Sequence, residues 1–174
     1  SGAADGYGRM AGKPAATLLH LGPGLGNAWA NIHNARRAGT PMVNIVGDHA
    51  RYHLQYDAPL TSDVPSLART VSHWVHTSTN AKSVAADAAR AVQAARATPG
   101  QIATLILPAD TAWDPADAAA DPLLPVPPAP VSDAVIDEVV KILRGGKRTA
   151  VLIRGAALLG EGLEQAGRVA EASG

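Results

Sequence analysis

The chain has 174 residues, with 15 Lys and Arg against 15 Asp and Glu, six histidines and no cysteine. Zero net charge excludes an electrostatic case for nucleic acid or anionic membrane binding, and the lack of cysteine excludes a disulfide framework or a thiolate metal site. No apolar run approaches the roughly 18–20 residues that span a bilayer, and with no Phe the core must be built from Ala, Val, Leu and Ile.

Residues 3–11 have helical composition and end at Gly12-Lys13-Pro14, a glycine stop followed by a residue that cannot continue a helix. Residues 16–21 form an apolar run of strand length, and Gly22-Pro23-Gly24-Leu25-Gly26-Asn27 after it reads as a turn-rich loop. A helix over 28–38 and a second apolar strand over 42–46 complete a strand–loop–helix–strand unit. Unbroken apolar strands of this kind predict an α/β fold, with a parallel sheet flanked by helices. Residues 51–65 read as irregular, 71–76 as a short strand, 81–97 as an alanine-rich helix and 102–107 as a third strand. Proline and alanine crowd 114–130, which is linker composition. Beyond it Ser132 caps a helix with Val135, Ile136, Val139, Val140 and Leu143 at helical spacing, followed by a strand at 149–153 and a helix at 158–172. The expected organisation is a first α/β domain over 1–120, a linker over 121–131 and the opening elements of a second α/β domain over 132–174.

The glycine segment at 22–27 joins a strand to a helix, where a bare backbone lets a ligand approach and a helix start favours an anion or polar acceptor. One reading is a Rossmann-type dinucleotide fingerprint with Asp48 as the ribose carboxylate, although Asn27 stands at the third glycine position and Pro23 stiffens the turn. The other is a tight turn that holds no ligand. His20 stands at the carboxyl end of its strand, where open α/β sheets bind ligands; a histidine satisfied within the fold fits the same position. His49 with His53 and His73 with His76 have metal-compatible spacings, but no carboxylate repeats beside them and no zinc site is expected. Ser72-His73 lacks an oriented acid and a nucleophile elbow, which argues against a hydrolase triad.

Taken together, Gly2-Ala3-Ala4-Asp5-Gly6-Tyr7-Gly8-Arg9, Gly12-Lys13-Pro14, His20 through Asn27 and Pro41 through Gly47 resemble one family. It is the pyrimidine-binding (Pyr) domain of thiamine-diphosphate enzymes of the acetolactate synthase and benzoylformate decarboxylase type. Gly22, Pro23, Gly24 and Asn27 are similar to the acetolactate synthase form of the segment, whereas Leu19-His20 resembles the benzoylformate decarboxylase form. The likeness continues through Leu60-Thr61-Ser62-Asp63 and Trp74, and then Leu107-Pro108 to Trp113-Asp114. The residues after the linker resemble the start of the family's central domain.

The resemblance implies thiamine diphosphate as cofactor and an acetolactate synthase-like decarboxylase or carboligase of 2-oxo acids, of the kind used in branched-chain amino acid biosynthesis. A benzoylformate decarboxylase-like lyase and a non-catalytic paralogue are the alternatives within the family. In such enzymes a Pyr-domain glutamate protonates the aminopyrimidine, and the activated cofactor carbon attacks the 2-oxo acid. Carbon dioxide then leaves, while the protein supplies orientation and proton traffic. Carried over by position, Pro23, Gly24 and Asn27 contact the pyrimidine side of the cofactor and Leu60 lines the same pocket. His20 lies at the cofactor too and faces the reacting carbon, where its pKa suits proton transfer near neutral pH.

The family's glutamate position falls ahead of Ser1, and all four glutamates of the chain (Glu138, Glu161, Glu164 and Glu171) lie beyond the linker. The chain opens without Met, so it is expected to be a fragment of a cytoplasmic enzyme and inactive alone. The Mg2+ and diphosphate motif belongs to a C-terminal domain of the family outside this chain, and FAD in the central domain is compatible with the family but supported by no residue here. An active site shared between the Pyr domain of one subunit and the diphosphate-binding domain of another implies a homodimer or homotetramer.

Overall fold

Ala15–His20 (β1), Met42–Asp48 (β2), Trp74–Thr77 (β3) and Ile102–Pro108 (β4) pair as one parallel sheet in the computed structural model, in the order β1-β2-β4-β3. The structure describes residues 1–174, the side chain of Ala156 excepted. It divides into two compact units, Ser1–Pro127 and Pro128–Gly174. In the first, helices α1 (Gly2–Ala11), α2 (Leu21–Ala38), α3 (Val64–Arg69), α4 (Val84–Ala95) and α5 (Ala109–Trp113) surround the sheet. The α/β class and the helix-flanked parallel sheet expected from the apolar runs are what the structure shows.

Alternation along the strands divides the core between the two faces of the sheet. Met42, Val46, Ile102 and Ile106 meet Ala4 of α1, Leu25, Ala28, Ile32 and Ala35 of α2, and Val64 and Ala68 of α3. Val43, Ala103 and Leu105 point the other way, onto Ala91 and Ala95 of α4. Each fully buried branched side chain of this set contributes about 1.5–3 kcal/mol relative to leaving it in water. Thr17, Asn44 and Thr104 are register partners across β1, β2 and β4. The Thr17 hydroxyl donates to Asn44 Oδ1 at 2.7 Å, Asn44 Nδ2 donates to Thr104 Oγ1 at 3.3 Å, and Ser72 Oγ shares a hydrogen bond with Thr104 Oγ1 at 2.7 Å. A polar ladder therefore crosses an otherwise apolar layer. β1 lies at one edge of the sheet, with Ala16, Leu18 and His20 turned outward and Leu18 80% exposed.

Several elements differ from expectation. The segment at 22–27 is not a loop: α2 begins at Leu21 and takes the glycines and Pro23 as its first turns, so the strand passes into the helix with no connecting residues. A helix's first turn tolerates proline, because its N–H there needs no partner. The reversal is made by Leu21, whose φ of 54° is left-handed and which is 3% exposed. That conformation costs a residue other than glycine about 1–2 kcal/mol. The short strand expected at 71–76 begins later, at Trp74, because Val71 and Ser72 complete the turn after α3 through hydrogen bonds to Ala68 O. Within the expected alanine-rich helix, Ala81–Ser83 is a 3-10 turn and the α-helix ends at Ala95. Helices α3 and α5, neither of them expected, are short elements at strand ends.

The second unit holds α6 (Asp133–Leu143), a 3-10 turn at Gly155–Leu158 and α7 (Gly160–Ser173). Ser132 is the N-cap of α6, but its side chain makes no capping hydrogen bond. Residues 149–153 are not a strand, since no neighbouring strand among the described residues supplies ladder partners and Val151 and Leu152 stay exposed. Among the described residues no helix is long and apolar enough to cross a membrane.

Candidate functional site

The register sets His20 opposite Gly47, and Gly47 and Asp48 opposite Leu107 and Pro108, so the carboxyl ends of β1, β2 and β4 come level. His20 is also the N-cap of α2, with extended φ and ψ of −109° and 105°. Its imidazole makes no capping bond and is exposed. Pro23 and Asn27 are exposed and Gly24 half-buried, while Leu21, Gly22, Leu25 and Ala28 are buried. Positions 23, 24 and 27 recur at helical spacing and form the outward face of the helix start, and His20, at the end of β1, adjoins that face. An ideal Cβ at Gly24 would stand 3.4 Å from His20 Cβ, so a side chain there would press against the histidine.

Leu60 reaches this end through its neighbour Ser62. A Cβ on Gly22 would overlap both Oγ and Cβ of Ser62, so only glycine admits the 60–63 segment against the helix start. Ser62 Oγ in turn donates to Leu60 O at 3.1 Å, and Leu60 is 41% exposed. Asp63 caps α3 by accepting from Ser66 N–H at 3.0 Å, and hydrogen bonding from the Ser66 side chain, helped by that backbone bond, holds its carboxyl below the ordinary carboxylate range. Sequence reading passed over Ser62 as a site member; its signal was the buried glycine it faces, visible only in three dimensions.

The start of α2 and the 60–63 segment carry no cationic side chain. Residues 14–35 and 52–68 contain no Lys or Arg, and the first turn of α2 holds no acidic residue. Asn27 offers a donor and an acceptor, His20 a titratable ring, and Pro23 and Leu60 apolar surface. Such a set fits a planar neutral heterocycle, and it supplies no cation for a diphosphate.

The other candidates lie elsewhere or are engaged. Asp48 Oδ1 accepts from the N–H of His49 at 2.7 Å, a local use of the carboxylate offered above as a ribose ligand. His49 and His53 have ring centroids 5.4 Å apart, and His49 Nε2 is buried with no hydrogen-bond partner. His73 Nδ1 accepts from Ile102 N–H at 3.1 Å, and burial, reinforced by the positive charge of Arg36, pushes its pKa below the ordinary 6.5. His76 Nε2 lies 3.2 Å from Asp87 Oδ1. Burial would raise the pKa of that carboxyl, but hydrogen bonds from Ser78, Ser83 and Arg90 outweigh it and hold it low.

Comparison with known proteins turns on the same stretch of chain. Residues 1–84 match the thiamine pyrophosphate enzyme N-terminal TPP binding domain. They belong to the thiamine-diphosphate-dependent enzyme family. The whole chain is 54% identical to the "putative acetolactate synthase large subunit IlvX" of Mycobacterium tuberculosis, of which it spans 33%. Over 70% of its length it is 30% identical to the benzoylformate decarboxylase of Pseudomonas aeruginosa, 23% of which is covered. The crystal structure of benzoylformate decarboxylase from Polynucleobacter necessarius superposes with a TM-score of 0.73 over 83% of this chain and 27% of that one, at 24% identity, which speaks for the fold. The chain thus spans about a third or less of these relatives.

Proposed function

We propose that residues 1–127 hold the aminopyrimidine side of thiamine diphosphate, as part of a 2-oxo-acid decarboxylase or carboligase of acetolactate synthase-like type. The observation that carries this reading is the single outward face formed by Pro23, Gly24 and Asn27 at the start of α2, adjoined by His20 and bordered by Leu60 and Ser62. A pyrimidine has ring nitrogens and an amino group on a flat body. Asn27 would donate to and accept from its edge, while Pro23 and Leu60 would cover its faces. The charged diphosphate, with its Mg2+, would be held by groups outside this surface, since it offers no cation. A partner subunit of a homodimer or homotetramer would supply them. The family match over residues 1–84 supports the cofactor.

Thiamine diphosphate, when bound, supplies an electron sink for the carbon that loses carbon dioxide from a 2-oxo acid. The residues of this chain would orient and move protons around it. His20 is exposed and held by backbone rather than by a side-chain bond, so its imidazole would deliver or accept a proton at the substrate while its Cα stays fixed by the strand and the left-handed turn. A benzoylformate decarboxylase-like lyase is favoured specifically by that histidine and by the likeness to two such enzymes. The 54% identity over the whole chain favours the acetolactate synthase-like assignment.

The test is calorimetric titration of the full-length protein with thiamine diphosphate plus Mg2+ and, separately, with NAD. Binding of the thiamine compound, weakened in Asn27→Ala and retained in His20→Ala, is expected. His20→Ala should instead slow turnover of an aryl 2-oxo acid by about 10²–10⁴-fold, the usual size of a general acid–base contribution. Tight NAD binding without thiamine diphosphate binding would overturn the reading in favour of a nucleotide-binding module.

A further inference from the structure

Between buried Ala50 and buried Val64 the chain runs for thirteen residues, all of them exposed except Ala58 and Thr61, which are partly buried. Its hydrogen bonds are almost all local. His53 N–H donates to Ala50 O, Asp57 N–H to Leu54 O and Thr61 N–H to Ala58 O, each three residues back. Gln55 Nε2 donates to Tyr52 O and Ser62 Oγ to Leu60 O. Such bonds shape the segment without fastening it to anything.

Arg51 is the exception. Its backbone N–H donates to Asp110 Oδ1 at 3.1 Å, its Nε donates to Asp110 Oδ2 at 2.6 Å, and its Nη1 donates to Thr79 O. One residue is thereby joined to α5, which follows β4, and to the segment that follows β3. Asp110 is 7% exposed, and hydrogen bonding from Arg51 holds its carboxyl below the ordinary carboxylate range, so the carboxylate stays ionised throughout the neutral range. Two bonds from one side chain's fork, together with a backbone bond to the same carboxylate, give this contact directional rigidity that a lysine would lack.

We infer that the Arg51–Asp110 pair tethers the 51–62 segment to the sheet and is the positioning device that sets Leu60 and Ser62 at the start of α2. Among the described residues these are the hydrogen bonds that tie the segment to distant parts of the fold. The opposite end is held by the packing of Ser62 on Gly22. The tether stands on this geometry alone, whereas its effect on a cofactor rests on the function proposed above.

The experiment is hydrogen–deuterium exchange on the full-length protein and on its Arg51→Met, Arg51→Lys and Asp110→Asn variants, with thiamine diphosphate affinity measured in parallel. Arg51→Met should accelerate exchange across 52–62 by about ten- to a hundredfold, as expected when charge-assisted hydrogen bonds closing a local opening are lost. Exchange in β1, β2 and β4 should stay at the native rate, and Arg51→Lys should recover only part of the protection. Asp110→Asn, which keeps the shape of the acceptor, should move the same segment less far and serves if Arg51→Met does not fold. Weaker cofactor binding should accompany the faster exchange in proportion. Native exchange over 52–62 in Arg51→Met and Asp110→Asn would overturn the inference. So would acceleration spread equally over the sheet, which would make the pair a general stability contact. A protein that fails to bind thiamine diphosphate while its 52–62 exchange responds as expected would sink the proposed function and leave the tether standing.

Discussion

Asn44 is fully buried at the centre of the sheet and holds the polar ladder together. Asn44→Leu keeps the side chain near its present size and removes both of its bonds. The 2.7 Å bond from Thr17 contributes about 1 kcal/mol and the 3.3 Å bond to Thr104 less. Thr104 keeps Ser72 as partner, but the half-buried Thr17 hydroxyl loses its acceptor, for about 1 kcal/mol more. The expected loss is therefore about 2 kcal/mol, reduced by whatever the buried leucine returns. Thr17→Val then acts with opposite signs in the two backgrounds. In the wild-type protein it strands the Asn44 carbonyl and destabilises by about 1–2 kcal/mol, whereas in Asn44→Leu it removes the stranded hydroxyl and restores about 1 kcal/mol. Urea unfolding followed by tryptophan fluorescence measures this cleanly, because Trp29, Trp74 and Trp113 all lie in the first unit. An equal cost of Thr17→Val in both backgrounds would refute the ladder as an energetic unit.

Gly22→Ala should drive the 60–63 segment off the helix start, destabilise the first unit by about 1–3 kcal/mol through overpacking, and weaken thiamine diphosphate binding; adding Ser62→Gly should restore both, and a failure to do so would show that the overlap lies elsewhere. His73 gives a pH dependence. Its pKa is lowered in the folded protein, so the unfolded chain takes up the proton first: the stability it contributes is complete above the ordinary value of 6.5 and is lost as pH falls from there through the lower folded value. Thermal midpoints measured from about pH 7.5 to 5 should fall more steeply in the wild type than in His73→Asn, whose carboxamide oxygen replaces Nδ1 as acceptor for Ile102 N–H.

What could be read from the chain followed local signals. The runs at 42–46 and 102–107 announced β2 and β4 because both faces of a central parallel strand are buried, and one polar residue in each, Asn44 and Thr104, is too few to make an alternating pattern. A similar run at 149–153 makes no strand, since a ladder needs a neighbour and the run itself cannot say whether one exists. Gly-Pro-Gly at 22–24 has loop chemistry and helix-start chemistry at once, and the outcome rests on the left-handed Leu21, which nothing in a leucine advertises. Asp63-Val64-Pro65-Ser66 carried a readable signature for α3, a capping aspartate ahead of a first-turn proline, obscured by the irregular residues before it. At the site, Pro23, Gly24 and Asn27 share a face because they sit within two helical turns, a local property, while His20 comes beside them through the left-handed turn at Leu21. The Arg51–Asp110 contact joins residues 59 positions apart, and the ladder joins Thr17 to Thr104 through Asn44. No spacing in the chain encodes either.

The outward flank of β1 has a consequence for handling the protein in solution. An edge strand offers a row of unpaired N–H and C=O groups to any extended chain, and proteins usually blunt such a row with a lysine, a proline or a bulge. Ala15–His20 contains none of these within its six residues and presents a leucine instead. Concentration is therefore the variable to control when residues 1–174 are prepared alone. Self-pairing along this rim competes with the monodisperse state, and a scattering series against dilution reads out that competition directly.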